Sequence, residues 1–474
     1  MQARQDQFVR EWGDALRGGT AAAFIGSGAS LEANYPSWPE LMKERATELG
    51  ITLRAHDDLT VVAQHYLNLG ESKRSEIKRW IADQFPEGRR TPAAIRVLAR
   101  LPLRTLWTTN YDRLLEAAWR ERGLILDAKK RQSDLAHPKA NADAVLYKMH
   151  GCASDPDSLV IAKDDYDLYL REREAFSTAL AADLMGRRML FLGFGHNDPN
   201  LAFLFSMLRR LFPSQAAQHF SIGRQPSPEE GESADEARAR YELWCHDWEQ
   251  RYRVRRVDVA EWSDVPTLLE RVERRVVADA VLVSGSYPVE TAGPDRTRIE
   301  TVASSVGSAL AESGRRLVSG FGLTVGSSAL SGFLQALGAD ALAPERRLLL
   351  RPFPQPTGSF DPRDLWPDYR MGLVRSAGAV VFVGGARTGD AGVVDASGVM
   401  AEFDACLALG RVPIPVGGTG YASRAIWSRM GADLGRWPWY PRDAFDVLGD
   451  PAADASTIAR AVTGVLDEMR SRGS

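Results

Sequence analysis

Short apolar runs that stop abruptly on glycine or polar clusters recur along this chain, and they restrict its fold more than any other feature. Ala22-Ala23-Phe24-Ile25 runs into Gly26-Ser27-Gly28-Ala29-Ser30, and Arg104-Thr105-Leu106-Trp107-Thr108-Thr109 into Asn110-Tyr111-Asp112. Residues 145–149 end on His150-Gly151, and residues 188–192 on Gly193-Phe194-Gly195-His196-Asn197-Asp198. Unbroken apolar runs of this length suit strands covered on both faces, as in a parallel sheet. Helical stretches separate them. Residues 2–18 place Phe8, Val9, Trp12 and Leu16 on one side, and Ser37 caps a helix to about Leu49. Residues 58–100 read as mainly helical with breaks at Gly70, Pro86 and Pro92, and a further helix runs to about Arg122. Such an alternation predicts a doubly wound α/β sheet whose ligand lies beyond the carboxyl ends of the strands, where all these clusters fall.

Residues 224–240 read as a polar surface loop before a helix, and a strand near 252–259 with a helix near 264–277 closes the first series. A second series starts at Ala280-Val281-Leu282-Val283-Ser284-Gly285-Ser286, with further strands expected at 316–320, 347–351, 379–385 and 412–418. The fold class is therefore α/β, two Rossmann-like domains, each a mostly parallel sheet flanked by helices, divided as 1–277 and 278–474. A length of 474 residues agrees with more than one domain.

Composition excludes several classes. Lys and Arg total 59 against 62 acidic residues, a net charge of −3, which gives no global reason to expect nucleic acid as a partner. The pairs Arg255-Arg256 and Arg346-Arg347 read as solvated strand or helix ends. The N-terminus lacks the apolar core of a signal peptide and no run is long enough to span a bilayer, so a cytoplasmic protein without a membrane partner is expected. Cys152, Cys245 and Cys406 lie far apart with no Cys-x-x-Cys pair, so neither a structural metal site nor a disulfide framework is expected.

A glycine turn at a strand end lets a phosphate approach main-chain N–H groups. By itself Gly26–Ser30 is explained as well by a tight turn, Asn110 by a helix N-cap, and His150 by a hydrogen-bonded strand end. Their conjunction is more specific. Gly26-Ser27-Gly28-Ala29-Ser30, Thr108-Thr109-Asn110-Tyr111-Asp112, His150-Gly151 and the later Gly193-Phe194-Gly195 turn resemble the sirtuin family. That family has, in the same order, a Gly-Ala-Gly-x-Ser loop, a Thr-Gln-Asn-x-Asp motif, a His-Gly pair and a Gly-rich turn; Thr109 stands where it has Gln. The resemblance covers residues 15–275. It implies that Gly26, Ser27, Gly28, Ala29 and Ser30 hold the NAD pyrophosphate, with Asp112, Gly193, Gly195 and His196 also in the NAD site. Asn110 and His150 would be catalytic: an amide can orient water without charge, and a histidine of near-neutral pKa can take up a proton.

The zinc ribbon that protein-deacylating sirtuins carry after the His-Gly pair has no counterpart, because the cysteines for it do not exist and Ser158-Leu159-Val160-Ile161 follows almost at once. Water then becomes the default nucleophile, and the implied reaction is hydrolysis of NAD+ to ADP-ribose and nicotinamide, with NAD+ as substrate and no metal. A protein deacylase or ADP-ribosyltransferase, or a non-catalytic nucleotide-binding scaffold, are the alternatives.

The second series has its own constellation. Ser284-Gly285-Ser286, Gly320-Phe321-Gly322, Tyr369-Arg370, Gly384-Gly385-Ala386-Arg387 and a helix from about Ser397 carrying Glu402 resemble the SLOG superfamily of nucleotide-binding Rossmann-like modules. Ser284, Gly285, Ser286, Gly322 and Gly384 would supply N–H groups at strand ends, Arg370 and Arg387 would hold phosphate, and Glu402 would accept from ribose hydroxyls. Alternatively, Arg387 is a solvated loop arginine and Glu402 a first-turn helix acid. After Gly385 the chain lacks the tight Gly-Thr of nucleotide-cleaving relatives, which suggests a sensor. Together the two modules resemble the NAD-hydrolysing effectors of Thoeris anti-phage systems. That likeness implies a cyclic ADP-ribose isomer made by a TIR-domain partner protein and bound by the SLOG module, and a homo-oligomer, a tetramer, that depletes NAD.

Overall fold

The computed structural model describes all residues except 55–56, 195–217, 229–230, 339–342, 355–360, 391 and 474. The chain forms two compact units, Met1–Val276 and Val277–Ser474. The first is built on strands β1 (Ala21–Ile25), β2 (Thr105–Thr108), β3 (Leu126–Lys129), β4 (Ala144–Lys148), β5 (Arg188–Leu192), β6 (His219–Gly223) and β7 (Val254–Asp258). They pair in the order β3-β4-β2-β1-β5-β6-β7, and every pairing is parallel. The order reverses at β1, which has β2 on one side and β5 on the other, so the crevice of a doubly wound sheet opens beside Gly26.

Strands β3 and β6 do not stand out in the sequence. Asp127 and Lys129 in β3 are both buried as an ion pair at 2.9 Å, and β6 contains buried His219 and Ser221. Buried polar residues with partners inside the fold erase the apolar signature of a strand. The Arg255-Arg256 pair is not a solvated strand end. Arg256 lies in the middle of β7, is buried, and reaches Ser221 Oγ at 2.9 Å and Tyr241 Oη at 3.1 Å.

The second unit has strands β8 (Ala280–Ser286), β9 (Arg316–Ser319), β10 (Leu348–Leu350), β11 (Ala379–Gly384) and, last in sequence, β14 (Val412–Val416), with a hairpin of β12 (Ala386–Gly389) and β13 (Gly392–Asp395) between them. The main sheet runs β10-β9-β8-β11-β14, all parallel; the antiparallel hairpin was not anticipated. Val281, Val283, Val381 and Val383 feed one core and Leu282, Val380 and Phe382 another, so both faces of this sheet are covered, as its unbroken apolar strands require. Arg347 is likewise not a free strand end: its guanidinium donates to the Ala311 carbonyl in the last turn of the helix Pro294–Glu312 at 2.7 Å and to the Arg315 carbonyl just beyond it at 2.8 Å.

Helices Pro294–Glu312 and Val325–Ala336 pack backbone to backbone. A Cβ on Gly307 would lie 2.0 Å from the Ala329 carbonyl oxygen, and one on Gly332 2.0 Å from that of Ser304. Gly464, within the helix Ala455–Gly473, faces open space. Gly307→Ala should therefore destabilise the second unit by about 1–3 kcal/mol through overpacking. Gly464→Ala should stabilise it by about 1 kcal/mol through helix propensity. Thermal melting of the two variants should move in opposite directions.

Candidate functional site

The carboxyl ends of β1, β2, β4 and β5 meet in the first unit. Gly26 N–H donates to the Leu192 carbonyl at 2.8 Å, and Gly28 N–H to the Gly193 carbonyl at 2.9 Å. A Cβ on Gly26 would sit 2.6 Å from the Gly193 oxygen, so the contact admits only glycine. From Gly26 the chain enters a 3-10 turn, Ser27–Ala33. Ser27 and Gly28 are exposed and Ala29 half-buried, while the Gly28 and Ala29 N–H groups are engaged within the turn by the Gly193 and Gly26 carbonyls.

The end of β2 is bolted to this turn. Thr108 Oγ1 donates to the Ile25 carbonyl at 2.7 Å and accepts from Asn110 N–H at 3.0 Å. Asn110, 8% exposed, then donates through Nδ2 to the Gly26 carbonyl at 3.0 Å and to Ser30 Oγ at 3.1 Å. Because a carbonyl oxygen only accepts, it is the NH2 side of the amide that faces Gly26. The Asn110 Oδ1 is left buried and without a partner among the described residues. Ser30 O–H donates to Asp112 Oδ2 at 2.8 Å, and Asp112 Oδ1 accepts from Leu114 N–H at 2.9 Å. Arg113 stands at the N-cap of the helix Leu114–Glu121, and the side chain that receives its first N–H is that of Asp112, not Asn110. Burial pushes the Asp112 carboxyl up, opposed chiefly by the Lys148 ammonium.

His150 follows β4. Met149 N–H to the Thr108 carbonyl and Ala153 N–H to the Tyr111 carbonyl, each 2.9 Å, hold its turn against that of Asn110. Tyr166 Oη lies 3.4 Å from His150 Nδ1, and the ring sits edge-on to Tyr166 and Tyr169 at 5.2 and 6.2 Å. Burial first, and the Arg173 guanidinium second, drive its pKa down to about 3. The expected near-neutral pKa is not what the fold produces; His150 is a neutral imidazole at physiological pH. Gly26, Ser30, Asn110, Asp112 and Gly193 are thus joined in one network with His150 beside it, whereas Gly195 and His196 lie outside the described residues.

In the second unit a cleft of about 480 Å³ opens at the ends of β8 and β9. Ser284, Gly285, Ser286, Gly322, Arg370 and Glu402 all line it. Glu402, buried on the helix Ser397–Ala408, accepts from Ser284 Oγ at 2.6 Å. Burial raises its carboxyl, with Ser284 and Arg370 opposing. Arg370 Nε is 3.9 Å from Glu402 Oε1, and the guanidinium lies 5.4 Å from each of the Phe353 and Trp366 rings. Those two aromatic walls escaped the sequence reading; Pro352-Phe353-Pro354 ahead of Trp366 was the available signal. Gly384 and Arg387 fall outside this lining. Gly384 is buried and gives its N–H to Thr419 Oγ1 at 2.8 Å, and Arg387 projects exposed from the β12–β13 hairpin.

The fold and the two strand-end sites define a two-unit α/β protein, sirtuin-like followed by SLOG. Residues 104–249 match the SIR2-like domain family and residues 264–469 the Sir2- and TIR-associating SLOG family. The chain is 31% identical over 99% of its length to the NAD(+) hydrolase ThsA of Cytobacillus dafuensis, covering 98% of that protein. It is 32% identical over 90% of its length to that of Bacillus cereus strain MSX-D12, covering 90% of it. A 27% likeness over 48% of the chain relates it to the Defense-associated sirtuin 2 of Bacillus subtilis, 23% of which is covered. The chain belongs to the ThsA family.

The neutral His150 has a consequence for stability. The unfolded chain takes up a proton near the ordinary value of 6.5 while the folded one resists until about 3. Protons therefore favour unfolding, and stability falls as pH drops from 6.5 toward 3. His150→Gln should flatten urea-unfolding stability between pH 6 and 4 by up to about 1.4 kcal/mol per pH unit, one proton's worth.

Proposed function

We propose that this chain is an NAD+ hydrolase, releasing nicotinamide and ADP-ribose, and that the observation carrying this reading is the Asn110 amide, locked through Nδ2 with Oδ1 free. A fixed carbonyl-type acceptor at a strand end can hold a water by one O–H and aim its lone pair at the ribose C1′. The C1′–N bond breaks with its electron pair going to the nicotinamide nitrogen, which neutralises the pyridinium. Water oxygen bonds to C1′, and one proton is released for each NAD+ cleaved. Neutral His150 can accept a ribose hydroxyl or the departing proton, and the charge that builds on the sugar favours proton uptake nearby. The pyrophosphate would lie along the exposed Ser27-Gly28 turn, with Asp112 supporting the site from behind.

The names of the full-length relatives support this chemistry, and the Sir2- and TIR-associating SLOG match supports a TIR-domain partner. We read the second cleft as the sensor for a cyclic ADP-ribose isomer. Arg370 between two rings suits a phosphate beside a base, and Glu402 suits ribose hydroxyls. Binding there shifts the chain toward its NAD-cleaving state, within a cytoplasmic homotetramer that exhausts NAD in anti-phage defence.

The test is NAD loss and nicotinamide release by the purified chain with and without cyclic ADP-ribose isomers. Turnover evoked by one isomer is the expected result; turnover only with an acylated peptide would support a deacylase instead. Asn110→Ala and His150→Ala should each lower kcat by about 100-fold or more while the protein stays folded. Arg370→Ala should raise the isomer concentration for half-maximal activation about tenfold or more, the loss of one charge-assisted contact. An unchanged dose response would remove the sensor from this cleft.

A further inference from the structure

Behind the Asn110 turn lies a buried charged pair to which no catalytic or binding role has been given. Lys148, the last residue of β4, is 1% exposed. Its Nζ donates to the main-chain carbonyl of Asp112 and lies 3.1 Å from Glu116 Oε1. The Glu116 Oε2 is buried without a hydrogen-bond partner among the described residues. An ion pair in such a place is a poor stabiliser, since well-packed apolar side chains of the same volume commonly serve as well or better. Stability therefore does not account for it.

Position does. The ammonium grips Asp112 from below while the Asp112 carboxylate is the terminal acceptor of a directed chain: Asn110 Nδ2–H to Ser30 Oγ, and Ser30 O–H to Asp112 Oδ2. Protonation of Asp112 weakens that terminus and a shift of its backbone displaces it, and in either case Ser30 holds the amide less firmly. We propose that Lys148, held by Glu116, is a positioning residue for Asn110, anchoring the Asp112 segment so that the amide presents Oδ1 to the reacting water. The proposal rests on the reading of Asn110 as the water-orienting group. The titratable groups facing Asp112 among the described residues are Lys148 on β4, Glu116 on the helix Leu114–Glu121, and Tyr35. Lys148 lowers the Asp112 carboxyl more than Glu116 raises it, so removal of both leaves it easier to protonate.

The experiment compares the full chain with Lys148→Met/Glu116→Gln, which removes both partners of the pair and leaves the buried Asp112 carboxylate without its cation. It measures NAD hydrolysis across pH under the conditions that activate the unaltered protein, and carba-NAD binding by calorimetry. Expected are a fall in kcat of at least tenfold, a binding stoichiometry unchanged from the unaltered chain, and an acid limb of kcat moved to higher pH. An unaltered kcat and acid limb overturn the proposal, as does a stoichiometry that falls in step with kcat, which makes the pair merely structural. Should that variant not fold, Lys148→Arg decides. It keeps the charge but not the single-donor reach to the Asp112 carbonyl, so kcat should drop at least fivefold with the acid limb in place; full activity overturns the proposal. Full turnover by Asn110→Ala, or no NAD loss by the unaltered chain, removes the reading of Asn110 and this proposal with it. An inactive Asn110→Ala beside a fully active pair variant removes the proposal alone.

Discussion

Two backbones that touch without side chains, at Gly26 and Gly193, set the geometry of the first unit's site. The Gly26 carbonyl and the Gly193 carbonyl can be reached by neighbouring donors only because no Cβ stands between the two strand ends. Asn110 depends on that opening: its Nδ2 is fixed by the Gly26 oxygen, and its Oδ1 has no hydrogen-bond partner among the described residues. The parallel register supplies the rest. Since β2 and β5 flank β1 directly, residues more than eighty positions apart along the chain arrive at one edge.

The electrostatics of this edge separate two kinds of buried group. His150 has Arg173 nearby, and the Asp165 carboxylate opposes burial too weakly to offset it, so His150 stays neutral. Asp112 has a cation at its main chain and hydroxyl and amide donors at its carboxylate, so burial raises it against opposition. A neutral base and a supported carboxylate side by side suit a reaction in which positive charge develops on a sugar and one proton must leave. The same environment that raises the cost of charging His150 in the empty site is what a developing cation would change.

Much of this was legible in the sequence, and the reason differs from element to element. The strands at 188–192 and 280–286 are read to the residue, because a strand covered on both faces leaves an uninterrupted apolar signature. Strands β3 and β6 were missed because Asp127, Lys129, His219 and Ser221 are buried with partners that only the tertiary fold provides. The motif residues Asn110 and Asp112 were placed together by resemblance, but their division of labour was not: an asparagine before a helix reads as the cap, and here the first helical N–H is received by Asp112 two residues on. Gly384 ends β11 and Arg387 comes shortly after it, as motif residues should. Yet β11 ends against Thr419 and its next residues turn away into a hairpin, a change of direction that strand-and-helix periodicity does not encode.

The two strand-end sites share one device and diverge at the next atom. In each a buried carboxylate accepts from a serine hydroxyl: Asp112 from Ser30 at 2.8 Å, Glu402 from Ser284 at 2.6 Å. In the first unit the serine oxygen goes on to accept from an amide, and the chain ends in a free carbonyl-type oxygen that can order a water. In the second the carboxylate instead faces an arginine walled by Phe353 and Trp366. A guanidinium and two aromatic faces hold charge and ring surface tightly and offer no lone pair with which to orient a nucleophile. From a common strand-end carboxylate and serine, the first arrangement is suited to cleaving a nucleotide and the second to holding one.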